Sequence, residues 1–274
     1  MKSDNKDIDW GLKFYHDVLG LESLHFGLWR DDELNLNGAR KAQERYTEEL
    51  LDLIPDKVNK VLDAGCGTGT TYSELKKRGY EVECLNPDKY QEKIFRQKIK
   101  DRVKFHEAKF EEFKVSYKYD LILMSESSQY MDTDKMINNA KKLLNPDGWL
   151  LIADYFRKKD ISYYKTCKIK DIFIRKISDN GFILEKKRDI TNQILPNLRL
   201  GRKLYEEYAV PVVKIIAGYL QAKNRFLSYV GKLIFSNRIN KIKAYLFKHT
   251  PDKLDEHMFE KNMNYLFLLF KLEQ

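Results

Sequence analysis

From Asn59 onward, short runs rich in Val, Ile, Leu and Tyr alternate with stretches whose apolar residues recur every three to four positions. That alternation is the pattern of βαβ units and of a parallel sheet with helices on its faces. Strands are predicted over Lys60–Ala64, Glu81–Asn86, Val103–Glu107, Asp120–Ser125, Trp149–Tyr155, Phe182–Ile190 and Met263–Lys271. The intervening helices are Thr70–Arg78, stopped by Gly79; Lys89–Lys100, with Tyr90, Ile94 and Phe95 on one side; and Asp134–Leu144, with Met136, Ile137, Ala140 and Leu143 in register. The turn Asn145-Pro146-Asp147-Gly148 closes that last helix, and Lys168–Asn180 carries Ile169, Ile172, Phe173 and Ile177 before Gly181. Upstream, residues 8–54 read as helices with a stripe of Ala39, Ala42, Tyr46, Leu50 and Leu53 ahead of Pro55.

The expected fold is therefore α/β, a doubly wound, mostly parallel seven-stranded sheet. Residues 1–58 form a helical segment before it and 59–190 its core. The interval 191–258, far longer than an ordinary connection, is a helical insertion, and 259–274 carry the last strand.

Composition narrows the setting. With 274 residues and 43% hydrophobic residues the chain can bury a substantial core, which excludes wholesale disorder. No apolar stretch approaches the roughly 20 residues that span a bilayer, and Met1 to Asp9 show no apolar leader, so a cytoplasmic protein is expected. Cys66, Cys84 and Cys167 are odd in number and widely spaced, which writes neither a disulfide framework nor a zinc cluster, and no metal is expected. The net charge of +9 is concentrated: Pro196 to Thr250 holds 11 Lys or Arg against Glu206 and Glu207. A uniformly basic nucleic-acid binder would not show this, although a local basic face can meet phosphates or an anionic lipid surface.

The strongest local signal is Val61-Leu62-Asp63-Ala64-Gly65-Cys66-Gly67-Thr68-Gly69, a strand running into a glycine turn that opens a helix. Glycines there let a ligand approach the backbone and its amides. Spacing alone admits a dinucleotide site or a purely connecting turn, but Thr70 stands where the dinucleotide fingerprint wants its third Gly. Asp63 suits a ligand's ammonium group better than a pyrophosphate.

On these residues the segment resembles motif I of the class I S-adenosylmethionine-dependent methyltransferases, with their Rossmann-like fold. Leu85-Asn86-Pro87-Asp88-Lys89-Tyr90-Gln91, together with Ser23-Leu24-His25-Phe26-Gly27-Leu28-Trp29 and Ala42-Gln43, is similar to the sterol, tocopherol and terpenoid C-methyltransferase branch related to cyclopropane synthases. The resemblance implies S-adenosyl-L-methionine as cofactor and S-adenosyl-L-homocysteine as product. It assigns the cofactor to Asp63, Ala64, Gly65, Cys66, Gly67, Asn86, Pro87, Gln91, Phe110, Ser125 and Phe26. One departure stands out: Lys109 occupies the position where the family has an acidic acceptor for the adenine amino group, and Lys has only donors. The backbone N–H of Phe110, or Glu111 or Glu112, is the remaining way to hold the ring.

Met124-Ser125-Glu126-Ser127-Ser128-Gln129-Tyr130-Met131 looks like the Glu-Ser-x-x-x-Tyr segment of the terpenoid C-methyltransferases, which implies that Glu126 faces the reacting centre. Methylating an alkene creates a cation that a carboxylate and aromatic faces stabilise; for an amine or hydroxyl acceptor the same Glu126 orients it or takes its proton. The catalytic candidates are Glu126, Tyr130 and His25, with Tyr163 and Tyr164 as further pocket residues. The alternatives are a helix-capping or solvated Glu126, a core Tyr130 and a packed His25.

The insertion alternates apolar blocks (Val210–Val213, Ile215–Leu220, Phe226–Val230, Leu233–Phe235) with isolated cations. It resembles the acceptor-covering helices of the tocopherol type and implies a small lipophilic acceptor, with contact to an anionic membrane as a second partner. N- or O-methylation of a small amine or natural product is the alternative. An RNA or protein methyltransferase would carry an Asn-Pro-Pro-Tyr-type motif after the fourth strand, which is missing, so no nucleic acid is expected. A non-catalytic cofactor-binding protein draws its only support from Lys109.

Overall fold

The structure is a computed structural model that describes residues 10–223 and 250–273. Seven strands, β1 (Lys60–Ala64), β2 (Glu81–Leu85), β3 (Lys104–His106), β4 (Tyr119–Ser125), β5 (Leu144–Arg157), β6 (Phe182–Asp189) and β7 (Met263–Leu272), make one sheet in the order β3-β2-β1-β4-β5-β7-β6. The first five are parallel, and β7 runs antiparallel between β5 and β6. Strand order reverses at β1, so the connections leaving β1 and β4 diverge and open a crevice at the carboxyl ends of the strands.

The central strands β1, β4 and β7 are buried almost throughout because both faces are covered, whereas the edge strand β6 is largely exposed and charged. Leu62, Ile122, Leu150, Ile152, Leu268 and Phe270 are buried in one cluster with the inner face of α5 (Thr133–Leu143), namely Met136, Ile137, Ala140 and Leu143. Helices α3 (Thr70–Lys77), α4 (Lys89–Lys98) and α6 (Lys170–Ser178) fill the other crossovers. Asp88 caps α4 by accepting from the Tyr90 and Gln91 amides, and Asp132 caps α5 through the Lys135 amide.

Four local expectations are corrected. Residues 8–54 are not continuously helical: within the described part, α1 (Trp10–Asp17) and α2 (Leu36–Leu51) flank a non-helical stretch whose backbone hydrogen-bonds outward, as Leu28 N–H does to Ala42 O at 2.8 Å. Leu53 falls beyond α2, while Ala39, Ala42, Tyr46 and Leu50 are buried on it. The Asn145–Gly148 segment is a bulged start of β5: Leu144 pairs with Tyr119, the register slips before Leu121, and Asp147 takes a left-handed φ of 59°. Ile172 is 56% exposed on the face of α6 opposite Phe173 and Ile177.

Two compact units emerge, one of residues Met1–Ile194 and Asn262–Gln274, the other of Leu195–Lys261. Within the second, the helix Thr191–Leu204 runs through a π turn, Tyr205–Ala209, into Val210–Lys223. Arg199 pairs with Glu256 at 2.8 Å, and Gly201 lies against Leu254. Val212, Ile215, Ile216 and Tyr219 are exposed. The polar start Met1–Asp9, the blocks Phe226–Val230 and Leu233–Phe235, and the cations from Arg225 to Lys248 lie outside the described residues.

Candidate active site

A cavity of about 500 Å³ opens at the carboxyl ends of β1, β2 and β4. The turn after β1 forms its floor. Gly65, Gly67 and Gly69 have φ of 96°, 55° and 89°, a region that disfavours side chains, so glycine is needed there. A Cβ on Gly65 would stand 2.4 Å from Ser127 Cβ, and Ser127 Oγ donates to Ala64 O at 2.7 Å; the β1 and β4 loops are thus in tight contact. A Cβ on Gly67 would meet only Leu24 Cδ1 at 3.6 Å and Gln91 Oε1 at 4.0 Å, and would project into space a ligand could use.

Asp63 precedes this turn and is buried, with its Oδ2 lacking any hydrogen-bond partner; burial pushes its carboxyl up to about 7. A buried acceptor left unpaired is costly unless a ligand supplies the donor. On the far wall Asn86 Nδ2 donates to Gln91 Oε1 at 2.8 Å, and Asn86 Oδ1 accepts from the Asp88 amide at 3.0 Å. Lys109, Phe110 and Glu111 line the third side, whereas Glu112 does not. Of the acidic neighbours of Lys109, Glu111 is the one that reaches the cavity, and it also accepts from the Asp132 amide at 3.0 Å.

The opposite wall is built around Glu126, which has a left-handed φ of 51° and caps no helix. Its Oε1 accepts from the Phe26 amide at 2.8 Å and the Tyr265 hydroxyl at 2.7 Å. Burial pushes the carboxyl up to about 7, against the pull of those two bonds. Tyr265 meets Tyr46 at 2.8 Å, and Tyr46 meets Ser125 Oγ at 3.1 Å, which completes a chain of hydroxyls from Glu126 back to the cavity wall. Phe26, Tyr155, Tyr164 and Tyr265 surround this corner, with centroids 5.9 Å apart for Phe26–Tyr155, 5.9 Å for Tyr155–Tyr265 and 5.8 Å for Tyr155–Tyr164. Asp154, also buried and pushed up to about 6, fixes the following turn through Ser128 Oγ at 2.7 Å and the Gln129 amide at 3.0 Å.

Of the residues singled out in the sequence, Gly65, Cys66, Gly67, Asn86, Pro87, Gln91, Phe110, Ser125, Glu126, Tyr130 and His25 line the cavity. Ala64 and Phe26 stand immediately behind the lining, each bonded to a lining residue, and Asp63, two residues before Gly65, is buried and does not itself line the cavity. Tyr130 is 76% exposed at the rim and is no core residue. His25 is packed: its ring stacks on Tyr46 at 4.1 Å, its Nδ1–H donates to Phe26 O at 2.9 Å, and Nε2 meets Thr47 Oγ1 at 3.2 Å. Burial lowers it to about 4, so the ring is neutral near pH 7, and both nitrogens are engaged within the protein. The sequence reading missed Tyr46 and Tyr265 as partners of Glu126. A polar ring opening the otherwise apolar run Leu266–Phe270 was the available signal.

The strand order and the crevice at the carboxyl ends of the strands are those of the class I methyltransferase architecture. A methyltransferase-domain family model matches residues 39–177, half of the chain, and the chain belongs to that family. Sarcosine/dimethylglycine N-methyltransferase of Halorhodospira halochloris is 29% identical over 158 residues, 54% of this chain and 55% of that protein. The chain thus spans about half the length of the curated relatives it matches. Among solved structures, geranyl diphosphate C-methyltransferase from Streptomyces coelicolor superposes with a TM-score of 0.67 at 14% identity, over 94% of this chain and 90% of that one. An O-methyltransferase from a Brevibacillus brevis multienzyme gives 0.62 at 17%, over 92% and 84%. Both structures hold S-adenosyl-L-homocysteine and show that the fold is shared.

S-adenosylmethionine is the cofactor of this family, and the residues present fit it. The unpartnered Asp63 suits its ammonium group, the open space over Gly67 its methionine portion, Asn86 and Gln91 its ribose hydroxyls, and the Phe110 amide with Glu111 its adenine. When bound it supplies an electrophilic methyl group on a cationic sulfur.

Proposed function

We propose that the protein methylates a small acceptor whose reacting atom gains positive charge, the alkene of a terpenoid, prenyl-quinol or lipid-like molecule being the favoured class. One observation carries this reading: the buried carboxylate of Glu126 stands in an aromatic corner and faces the cavity. Near neutral pH Glu126 lies close to its midpoint, so it is available both as an anion and as a proton acceptor. As an anion about 4 Å from a developing cation it contributes roughly 4 kcal/mol at an effective dielectric near 20, and each ring face adds about 0.5–2 kcal/mol. As a base, removing the proton from a methylated carbon, it contributes about 10²- to 10⁴-fold. His25 and Tyr46 hold Glu126 in place through Phe26 and Tyr265, and Tyr130 sits where an acceptor enters.

A second reading, N-methylation of a small amine, is favoured by the N-methyltransferase relative. A tertiary amine becoming a quaternary ammonium needs the same carboxylate and rings. Incubation with methyl-labelled S-adenosylmethionine and matched panels of prenyl alkenes, hydroxylated lipids and secondary or tertiary amines, read by product mass, separates the two. Label on carbon supports the first; label confined to nitrogen or oxygen replaces it. The basic insertion supports contact with anionic membranes, tested by binding to vesicles that weakens as salt is raised. No helix among the described residues is long and apolar enough to cross a membrane.

A further inference from the structure

A second cavity, of about 330 Å³, lies in the same compact unit as the crevice but opens separately. Arg157, Lys165, Lys168 and Lys176 line it with the hydroxyl-bearing Thr133 and Thr166, and no carboxylate does. Four cations facing one space repel each other unless counter-charge is present. The carboxylates that partner them sit outside the lining. Asp160, 84% exposed, pairs with Arg157 Nη1 at 2.9 Å, and Asp134, 63% exposed, with Lys176 at 2.6 Å. Lys165 and Lys168 make no ion pair within 4 Å among the described residues, although Asp132 and Asp154 feel the Lys168 charge from outside the lining.

The backbone adds to the same polarity. α6 begins beside this cavity, and its N-cap, Ile169, offers no side chain to the first amides, unlike Asp88 and Asp132 on α4 and α5. A capping side chain would compete with an anion for these amides. Arg157 is fixed for such a role: its Nε donates to Cys167 O at 2.9 Å and its Nη1 to Ile161 O at 2.8 Å, so the guanidinium is held in place without a buried counter-charge. The exposed Ile172 and the buried Phe173 supply an apolar side.

We propose that this cavity is an anion site for a phosphate or diphosphate group, borne by a soluble metabolite or by a lipid headgroup. Arg157 keeps its Nη2 for an anion, its Nε and Nη1 being engaged within the protein, and the lysines give charge that adapts to either group. The site also touches the crevice. Lys168 Nζ donates to Met131 O at 2.7 Å, and Met131 lines the first cavity. An anion that draws the Lys168 ammonium toward itself competes with that bond and so reaches the wall of the crevice.

The test is calorimetric titration of the full chain with inorganic pyrophosphate, and sedimentation with vesicles containing phosphatidic acid. Both use the wild type and a Lys165→Ser/Lys176→Ser double variant, whose changes fall on side chains that carry no core packing. Wild-type binding that the double variant weakens about tenfold or more is expected. If pyrophosphate shows that dependence, the site takes a soluble phosphate; if only the vesicles show it, the site takes a headgroup. Equal binding by both proteins, or none to either probe, overturns the site. Titration with S-adenosylhomocysteine in the same variant is expected to match the wild type, so this result stands apart from any failure of the methyltransferase reading.

Discussion

Glu83 and Glu126 are both enclosed carboxylates of one sheet, and they behave in opposite ways. On β2, Glu83 is met by Tyr117 Oη at 2.7 Å, Tyr119 Oη at 2.8 Å, His106 Nε2 at 2.9 Å, and the Lys104 and Lys60 ammonium groups at 3.2 Å each. Burial alone would raise it, but those donors outweigh burial and hold it at about 2. Glu126 has two donors, both on Oε1, which leaves its other oxygen to the cavity; burial wins and it sits near 7. Asp63, with one oxygen unpartnered, falls with Glu126. Glu83 gathers five donors and Glu126 two, and burial weighs more heavily on Glu126. A saturated carboxylate contributes to the fold, whereas an undersaturated one keeps capacity for a ligand.

The most severe way to break this contrast is Glu83→Ala, which strands three hydroxyl or ring donors and two ammonium groups around a void. A loss of about 3–5 kcal/mol is expected in urea unfolding. A change within about 0.5 kcal/mol would mean that the cluster is merely crowded.

The two kinds of carboxylate also give stability opposite pH slopes. Glu83 is depressed, so its contribution is present above the unfolded value near 4.3 and disappears as pH falls toward about 2. Glu126 is raised: the unfolded chain ionises near 4.3 and the native state only near 7, so stability falls as pH rises through that window, by about 3–4 kcal/mol. Unfolding measured at acidic and mildly basic pH should therefore show a decline that Glu126→Gln reduces, with the remainder due to Asp63 and Asp154. A Glu126→Gln protein as pH-sensitive as the wild type would contradict the assignment.

Asp63→Asn keeps the shape and removes the charge. Affinity for S-adenosylhomocysteine should fall by about 1.5–3 kcal/mol, the range for a hydrogen bond to a charged group, while stability above pH 7 holds or rises. Unchanged affinity would leave the buried oxygen without a ligand to serve. Turnover in Glu126→Gln is expected to fall at least about tenfold, a floor of roughly 1.4 kcal/mol, with cofactor affinity intact. Wild-type turnover on the authentic acceptor would reduce Glu126 to a structural link between Phe26 and Tyr265.

The glycine turn was legible because positive φ and close packing against Ser127 leave few residue choices, and such constraints print directly into sequence. Strand ends agreed within a few residues for the same reason, since parallel strands buried on both faces read as apolar runs. Glu126's environment was not legible. Its partners Phe26 and Tyr265, and Tyr46 behind Tyr265, come from the coil after α1, from β7 and from α2, up to 139 residues away, and no local period connects them. The basic second cavity was hidden likewise, because Arg157 ends a strand, Lys165 and Lys168 lie in a loop, and Lys176 is on a helix.

The two ends of the insertion meet in the sheet. Ile190 N–H donates to Tyr265 O at 2.9 Å, Tyr265 N–H to Thr191 Oγ1 at 2.9 Å, and Asn264 Nδ2 to Asp189 Oδ2 at 2.8 Å. This knot works like the base of a removable cartridge: with entry and exit already tied, each doubling of the enclosed chain costs only about 0.6 kcal/mol in closure entropy. Replacement of the segment between Ile194 and Asn262 by a short turn, or by a foreign helical pair, would leave Tyr265 tied beside Glu126, so that segment can diverge while the corner around Glu126 is inherited unchanged.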